Sequence, residues 1–522
     1  MNYKTFRALS LAAVVVVAAG CTDVTTAPKS TVTAANVFND PASYRAFLAK
    51  IYAGMSATGQ QGGAGNGDIQ GIDEGFSQYV RLLWQMNELP TDEAVIAWND
   101  TGVQELNTQE WGTTNQFLQA MYYRVFFQVG LVNEFLRETT DDKLTARAVT
   151  PDLKAQIKTY RAEARFLRAL AYWHGLDLFG SIPLVVETDP IGSTPPKQAT
   201  RVEVFNYVES ELKAIQADMP SPAAQEYGRA SSGAAQMLLA KLYLNAQVYT
   251  GSARYSDALA ATQAVINGGY TLDPSYRHLF LADNNTSKEM IFTVPQDGLR
   301  TQSYGGTTFL IHASVGGNMN ATAFGIDGGW YGLRFKPETV ALFSGQSSDL
   351  RTQIFTNGQN GTINELTNFS DGYTSTKYAN VTSSGAKGSN ATFPDTDYPM
   401  FRLGDAYLMY AEEVLRGGGG SRAQALAYIN ALRTRAYGDA SGNITDAQMS
   451  LPFIKDERGR ELYWEGHRRT DLVRFSTFTD QGVWAWKGNV KAGKVTETFR
   501  NLYPLPASEL LANPNLKQNT GY

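Results

Sequence analysis

Residues 153–180 read LKAQIKTYRAEARFLRALAYWHGLDLFG, and this stretch decides the fold class. Ile157, Tyr160, Ala164, Leu167, Leu170 and Ala171 recur at intervals that place them on one face of a helix. Ala162, Ala164, Ala169 and Ala171 leave room for a second helix to come close. Gly180 and Pro183 supply the stop. His174 lies on this helix with no partner at metal-ligand spacing, so a packed or surface role is expected.

The same build recurs on both sides. Helical spacing is seen over 41–55, again near 76–86, and over 111–138, where Tyr122, Phe126, Val129, Val132 and Phe135 form the stripe. Downstream, SGAAQMLLAKLYLNAQVY (232–249) is followed by a turn at Thr250-Gly251 and then ARYSDALAATQAVINGG (253–269). RLGDAYLMYAEEVLR (402–416) is followed by GGGG and then SRAQALAYINALRTRA (421–436). Each is helix, glycine turn, helix: a tetratricopeptide-like hairpin that needs a neighbour to cover its apolar face. The expected fold is mostly α, stacked tetratricopeptide-like pairs with long loops and a few short strands between them.

Residues from about 295 to 400 interrupt the pairs. They are rich in Gly, Asn, Ser and Thr, and an irregular insert of that length is usually functional. Tyr304, Phe309, Phe324, Trp330, Tyr331, Phe335, Tyr373 and Tyr378 are scattered through it. Sugars offer apolar C–H faces that stack on aromatic rings, and hydroxyls that need polar partners. Two stretches combine both. ELPTDEAVIAWND (88–100), read as a loop, sets Trp98 near Asp92, Asn99 and Asp100. GGNMNATAFGIDGGWYGLRF (316–335) sets Trp330 and Tyr331 beside Asn320, Asp327 and Arg334. The expected ligand-binding residues are Asp92, Trp98, Asn320, Trp330 and Tyr331, with Trp98 and Trp330 on one surface as a stacking platform. Packing within the loops is the alternative for each ring.

The start of the chain has its own logic. Lys4 and Arg7 precede an apolar run over 8–19 interrupted only by Ser10, and Ala18-Ala19-Gly20 then leads to Cys21, the one cysteine in 522 residues. Positive, apolar, small is the order of a secretory signal, and the run is too short to span a bilayer. The expected division is a signal peptide at 1–20, a polar tether at 21–36 and a binding body at 37–522.

Several chemistries are disfavoured. Lys and Arg number 45 against 50 Asp and Glu, net −5, with no basic stripe, so no nucleic-acid partner is expected. One cysteine excludes an intrachain disulfide. There is no GxSxG, HExxH, Walker loop or dinucleotide fingerprint, and the four histidines are spread singly. No catalytic residue, metal site or cofactor is expected; Asp395 and Asp397 lack the rest of a calcium loop. Residues 454–475 read as one charged helix carrying Glu457, Glu461 and Glu465 among arginines. A glycosidase acid–base pair is one reading. Ionic ties between helices are the other, favoured because arginines hold carboxylates ionised.

Together RAEARFLRALAYWHGLDLFGSIPLV (161–185), RLGDAYLMYAEEVLR, DERGRELYWEGHRRTDLVRF (456–475) and the terminal YPLPASELLANPNLKQNTGY (503–522) resemble the successive signatures of the SusD/RagB family. Cys21 and its flanks resemble a bacterial lipobox, which implies acylation of that thiol. The resemblance implies a cell-surface lipoprotein on the outer membrane, facing the exterior. It further implies capture of a nutrient, most often an oligosaccharide, and delivery to a SusC-like TonB-dependent barrel. Peptide or other nutrient binding on the same architecture, a secreted carboxylate hydrolase and a ligand-free scaffold are the alternatives.

Overall fold

The computed structural model describes residues 37–522 apart from 64, 66, 193 and 347. The expected signal peptide and tether, Cys21 included, lie outside the described residues. The chain divides into residues 1–43 and a body of 44–522.

In chain order the main elements of the body are α1 (Tyr79–Glu88), β1 (Ala94–Ile96), α2 (Gln116–Glu138), α3 (Pro151–Phe179), α4 (Arg201–Ile215), α5 (Ser232–Leu244), α6 (Tyr255–Ile266), β2 (Met290–Val294), α7 (Gly306–Ser314), β3 (Leu333–Phe335), β4 (Tyr398–Arg402), α8 (Leu403–Leu415), α9 (Arg422–Tyr437), α10 (Leu451–Leu462) and α11 (Arg468–Arg474). The stretch that decides the fold class is α3. Thr150 caps it by accepting from the Leu153 amide, Pro151 opens it, and Gly180 at φ 74° closes it. Its second half is almost wholly buried, because α2 packs on one side and α4 on the other. The series continues: α5 pairs with α6, α6 packs on α8, and α8 on α9 and α10. Both hairpins expected from the sequence are present, and α6 meets α8 although more than a hundred residues separate them.

The residues between them are looped out and tied at their base. β2 and β4 pair antiparallel, from Met290 opposite Arg402 to Val294 opposite Tyr398, so the two ends of the insert lie side by side. Inside the insert stands α7, a segment whose sequence reads as loop. All nine residues of α7 are buried, so it shows no polar face and no amphipathic period.

The segment 454–475 differs from expectation. It is two helices, α10 and α11, joined by a break in which Trp464 and Gly466 take left-handed φ of 62° and 77°. The break buries the Trp464 ring, whose carbonyl accepts from the Trp84 indole at 3.0 Å, and turns Glu465 inward. The glutamates are structural. Glu457 meets Arg351 (2.9 Å), Arg433 (2.8 Å) and Arg460 (2.7 Å). Glu461 meets Arg351 (3.1 Å), Arg402 (2.8 Å) and Arg435. Glu465 meets Arg402 (2.6 Å) and Lys377 (2.7 Å). Burial pushes these carboxyls up, but the guanidiniums overcome it and hold Glu457 and Glu461 at about 2. Groups so firmly ionised are unfit as proton donors near neutrality.

His174 is buried and shares a 2.8 Å hydrogen bond with the Tyr79 hydroxyl. Burial pushes it down to about 3. Its folded value lies below its unfolded one, so the unfolded chain takes up the proton first, and the contribution of a neutral His174 is lost as pH falls below about 6.5. The stability advantage of the native protein over His174→Gln shrinks by about 2 kcal/mol between pH 6.5 and 5.0. Urea unfolding at the two values measures it; a constant difference contradicts the assignment.

Candidate glycan platform

The site is set by a short ribbon. β1 and β3 pair antiparallel, with Ala94 opposite Phe335, Val95 opposite Arg334 and Ile96 opposite Leu333. Pairing runs one step further, the Ala97 amide donating to the Gly332 carbonyl at 2.8 Å. Just beyond it the Trp98 side chain reaches Trp330, 232 positions away in the chain. The Trp98 indole N–H donates to the Trp330 carbonyl at 2.8 Å, and the rings stand 6.2 Å apart at 45°. Trp330 is fixed in turn by α7: its amide donates to the His312 carbonyl at 2.7 Å, and that of Gly332 to Ala313 at 2.8 Å.

A third ring joins them. Tyr304, just before α7, lies 6.1 Å from Trp330 at 60°, with Phe393 beyond it at 5.6 Å. Trp98, Trp330 and Tyr304 are each partly exposed, whereas the groups behind them are buried. Phe309 meets Trp98 edge-on at 5.8 Å, and His312 stacks on Trp330 at 4.6 Å and 21°. The His312 ring is held between the carbonyls of Gly328 (2.6 Å) and Thr392 (3.0 Å), and burial pushes its pKa down. Arg81 lies 4.5 Å from the centre of Phe309 and 5.4 Å from that of Trp98. It donates to the carbonyls of Gly75 (2.8 Å) and Tyr304 (3.0 Å). Burial lowers it to about 10, with Asp100 and Asp73 pulling the other way, so it is a cation at neutral pH. Three tilted rings make a curved aromatic surface beside a positive charge.

Glycine permits the arrangement. A Cβ on Gly332 would come within 2.8 Å of the Trp98 indole. Gly332→Ala therefore displaces the Trp98 indole while the protein stays folded; a crystal structure of the variant checks this, and an unmoved Trp98 contradicts it.

Of the other residues expected at the site, Asp92 and Arg334 are taken up by partners within the fold and the rest are exposed. Asp92 gives both carboxylate oxygens to Arg468, each at 2.7 Å, and burial, which would raise it, is overcome by that guanidinium. Arg334 is buried and donates to the carbonyls of Asn368 (2.7 Å) and Leu366 (2.6 Å). Asn320 is exposed, but its side chain caps the turn Ala321–Phe324. Tyr331, at φ 54° and 53% exposed, turns its ring to Phe369 at 5.4 Å. Asn99, Asp100 and Asp327 are exposed. In the sequence Tyr304 is only one of many aromatics in residues 295–400, and nothing about Arg81 distinguishes it from other helix arginines. Among the described residues no group of three or more His, Cys, Asp or Glu is arranged to hold a metal ion.

Stacked αα-hairpins carrying long loops with an aromatic platform define the class of architecture. The chain belongs to the SusD family: the family's sequence profile matches residues 247–522. It is 34% identical to the starch-binding protein SusD of Bacteroides thetaiotaomicron, over 91% of each chain. Among solved structures, a SusD homologue from the same organism superposes with a TM-score of 0.74 at 19% identity, covering 94% of this chain and 98% of that one. The surface glycan-binding protein A of that organism, solved with laminarihexaose, superposes with a TM-score of 0.68 at 20% identity, over 91% and 98%. No helix among the described residues is long and apolar enough to cross a membrane.

Proposed function

We propose that this chain captures a curved glucan on Trp98, Tyr304 and Trp330 and hands it to a SusC-like TonB-dependent barrel. The observation that carries the reading is the arc itself. Neighbouring rings tilted by 45° and 60° suit a chain that bends from one sugar to the next better than a flat one. Rings of this kind stack on the C–H faces, and exposed Asn99 and Asp100, next to Trp98 in the chain, offer partners to hydroxyls. The starch-binding relative favours an α-glucan as ligand. The starch-binding and glycan-binding relatives favour binding over hydrolysis. Titration calorimetry with maltoheptaose, laminarihexaose and cellohexaose tests this: maltoheptaose binds best and cellohexaose least. Preference for laminarihexaose moves the ligand class to a β-1,3 glucan, and binding of none overturns the proposal.

Delivery needs proximity, and a lipid on Cys21 supplies it. One acyl chain binds a membrane only marginally, whereas two or more hold firmly, each buried methylene contributing about 0.8 kcal/mol. Mass spectrometry of protein from membranes finds an acylated amino-terminal Cys21, and Cys21→Ala protein is released. An unmodified residue 21, or a Cys21→Ala protein that stays with membranes, contradicts the anchor. Extraction in mild detergent brings a large β-barrel protein down with the chain.

A further inference from the structure

The structure assigns a second saccharide-contact cleft to the surface between the turn after α6 and strand β2; the assignment rests on the glycan reading of the platform. The cleft encloses about 480 Å³ and is lined by Tyr227, Tyr270, Gln225, Lys288, Gly268 and Gly269. That size falls within the range of small-ligand sites. It shares no residue with the platform.

Both tyrosines are built in rather than loosely attached. The Tyr270 hydroxyl is 3.2 Å from Ser231 Oγ. Its side chain is seated against Gly233 and Gly268, where an added Cβ would come within 2.3 Å of its hydroxyl and 3.2 Å of its ring. Tyr227 is 43% exposed, yet its hydroxyl donates to Asp397, a buried carboxylate whose other oxygen accepts from the Gln296 amide at 2.7 Å. Burying a carboxylate is costly, and here one of its oxygens holds an exposed ring in place. On the same lining Gly269, with open space at its Cα, lets a ligand approach the backbone, and Gln225 and Lys288 bring polar groups to its hydroxyls. Two tyrosine rings, small residues and amide and ammonium donors in one cleft suit a neutral hexose unit. A polysaccharide long enough to touch both sites is held by avidity, which a short oligosaccharide lacks.

The test compares long and short glucans on the full chain. In gels containing soluble starch, Tyr227→Ala/Tyr270→Ala protein is retarded about tenfold less than the native protein, while its calorimetric affinity for maltoheptaose at the platform is unchanged. Trp98→Ala/Trp330→Ala protein keeps a residual retardation, and adding the two tyrosine changes abolishes it. Tyr227→Phe, which keeps the ring but loses its tie to Asp397, gives a retardation between those of the native protein and the double tyrosine variant. Should the tyrosine variants fail to fold, Ala223→Arg, which fills the cleft from an exposed position, produces the same loss. Retardation equal to the native protein in the double tyrosine variant or in Ala223→Arg overturns the cleft and leaves the platform standing. A native protein retarded by no glucan overturns the underlying reading, and the cleft with it.

Discussion

Trp330→Ala lowers affinity for the captured glucan by about tenfold to a hundredfold, and Trp98→Ala does the same. The scale is that of a base stacked on an aromatic ring, about 1–3 kcal/mol, since a sugar face offers a comparable contact. The two losses are not independent. Trp98 donates to the Trp330 carbonyl, and their rings are in contact, so the double variant loses less than the sum. Both rings are partly exposed, so thermal stability changes little. Tyr304→Ala, removing the outer ring, has a smaller effect of the same sign. Titration calorimetry and thermal melts of the three variants provide the comparison. Normal binding by both tryptophan variants, or early unfolding of both, shows that the rings are loop packing.

Arg402→Met destabilises the fold by about 3–5 kcal/mol, the range for breaking a buried ion pair by removing one partner. Arg402 is 1% exposed and bridges three buried carboxylates: Glu289 at 2.9 Å, Glu461 at 2.8 Å and Glu465 at 2.6 Å. It also ends β4 and directly precedes α8, so the same side chain ties the base of the insert to the last helices. Removing it leaves Glu465 with Lys377 alone, and Glu289 and Glu461 with one guanidinium fewer. Urea unfolding measures the loss, and a change below about 1 kcal/mol contradicts the role given to the network.

The hairpins were legible because their information is local: a three-to-four spacing, alanines at the contact and glycines at the turns. The network was legible only in part. Glu457 and Arg460 are three apart on one helix, but Arg351, Arg402 and Arg435 come from segments that no spacing rule connects. The platform shows the same division. Glycine-rich and Asn/Asp-rich surroundings marked Trp98 and Trp330, while their meeting depends on the β1–β3 register. Asp92 looked equally close to Trp98 in sequence. Six residues of extended chain span about 20 Å, and β1 carries Asp92 to Arg468 at the opposite end. Tyr304 was lost among other aromatics because only the packing of α7 against the ribbon selects it. The broken helix at 463–467 went unseen because an unbroken charge pattern covers a backbone reversal at Trp464.

The most direct measurement is a crystal structure of the protein with maltoheptaose. The expected result is consecutive sugar rings lying about 4 Å from the faces of Trp98, Tyr304 and Trp330, with hydroxyls toward Asn99 and Asp100. An empty arc at saturating ligand, or a saccharide that touches none of these three rings, contradicts the platform.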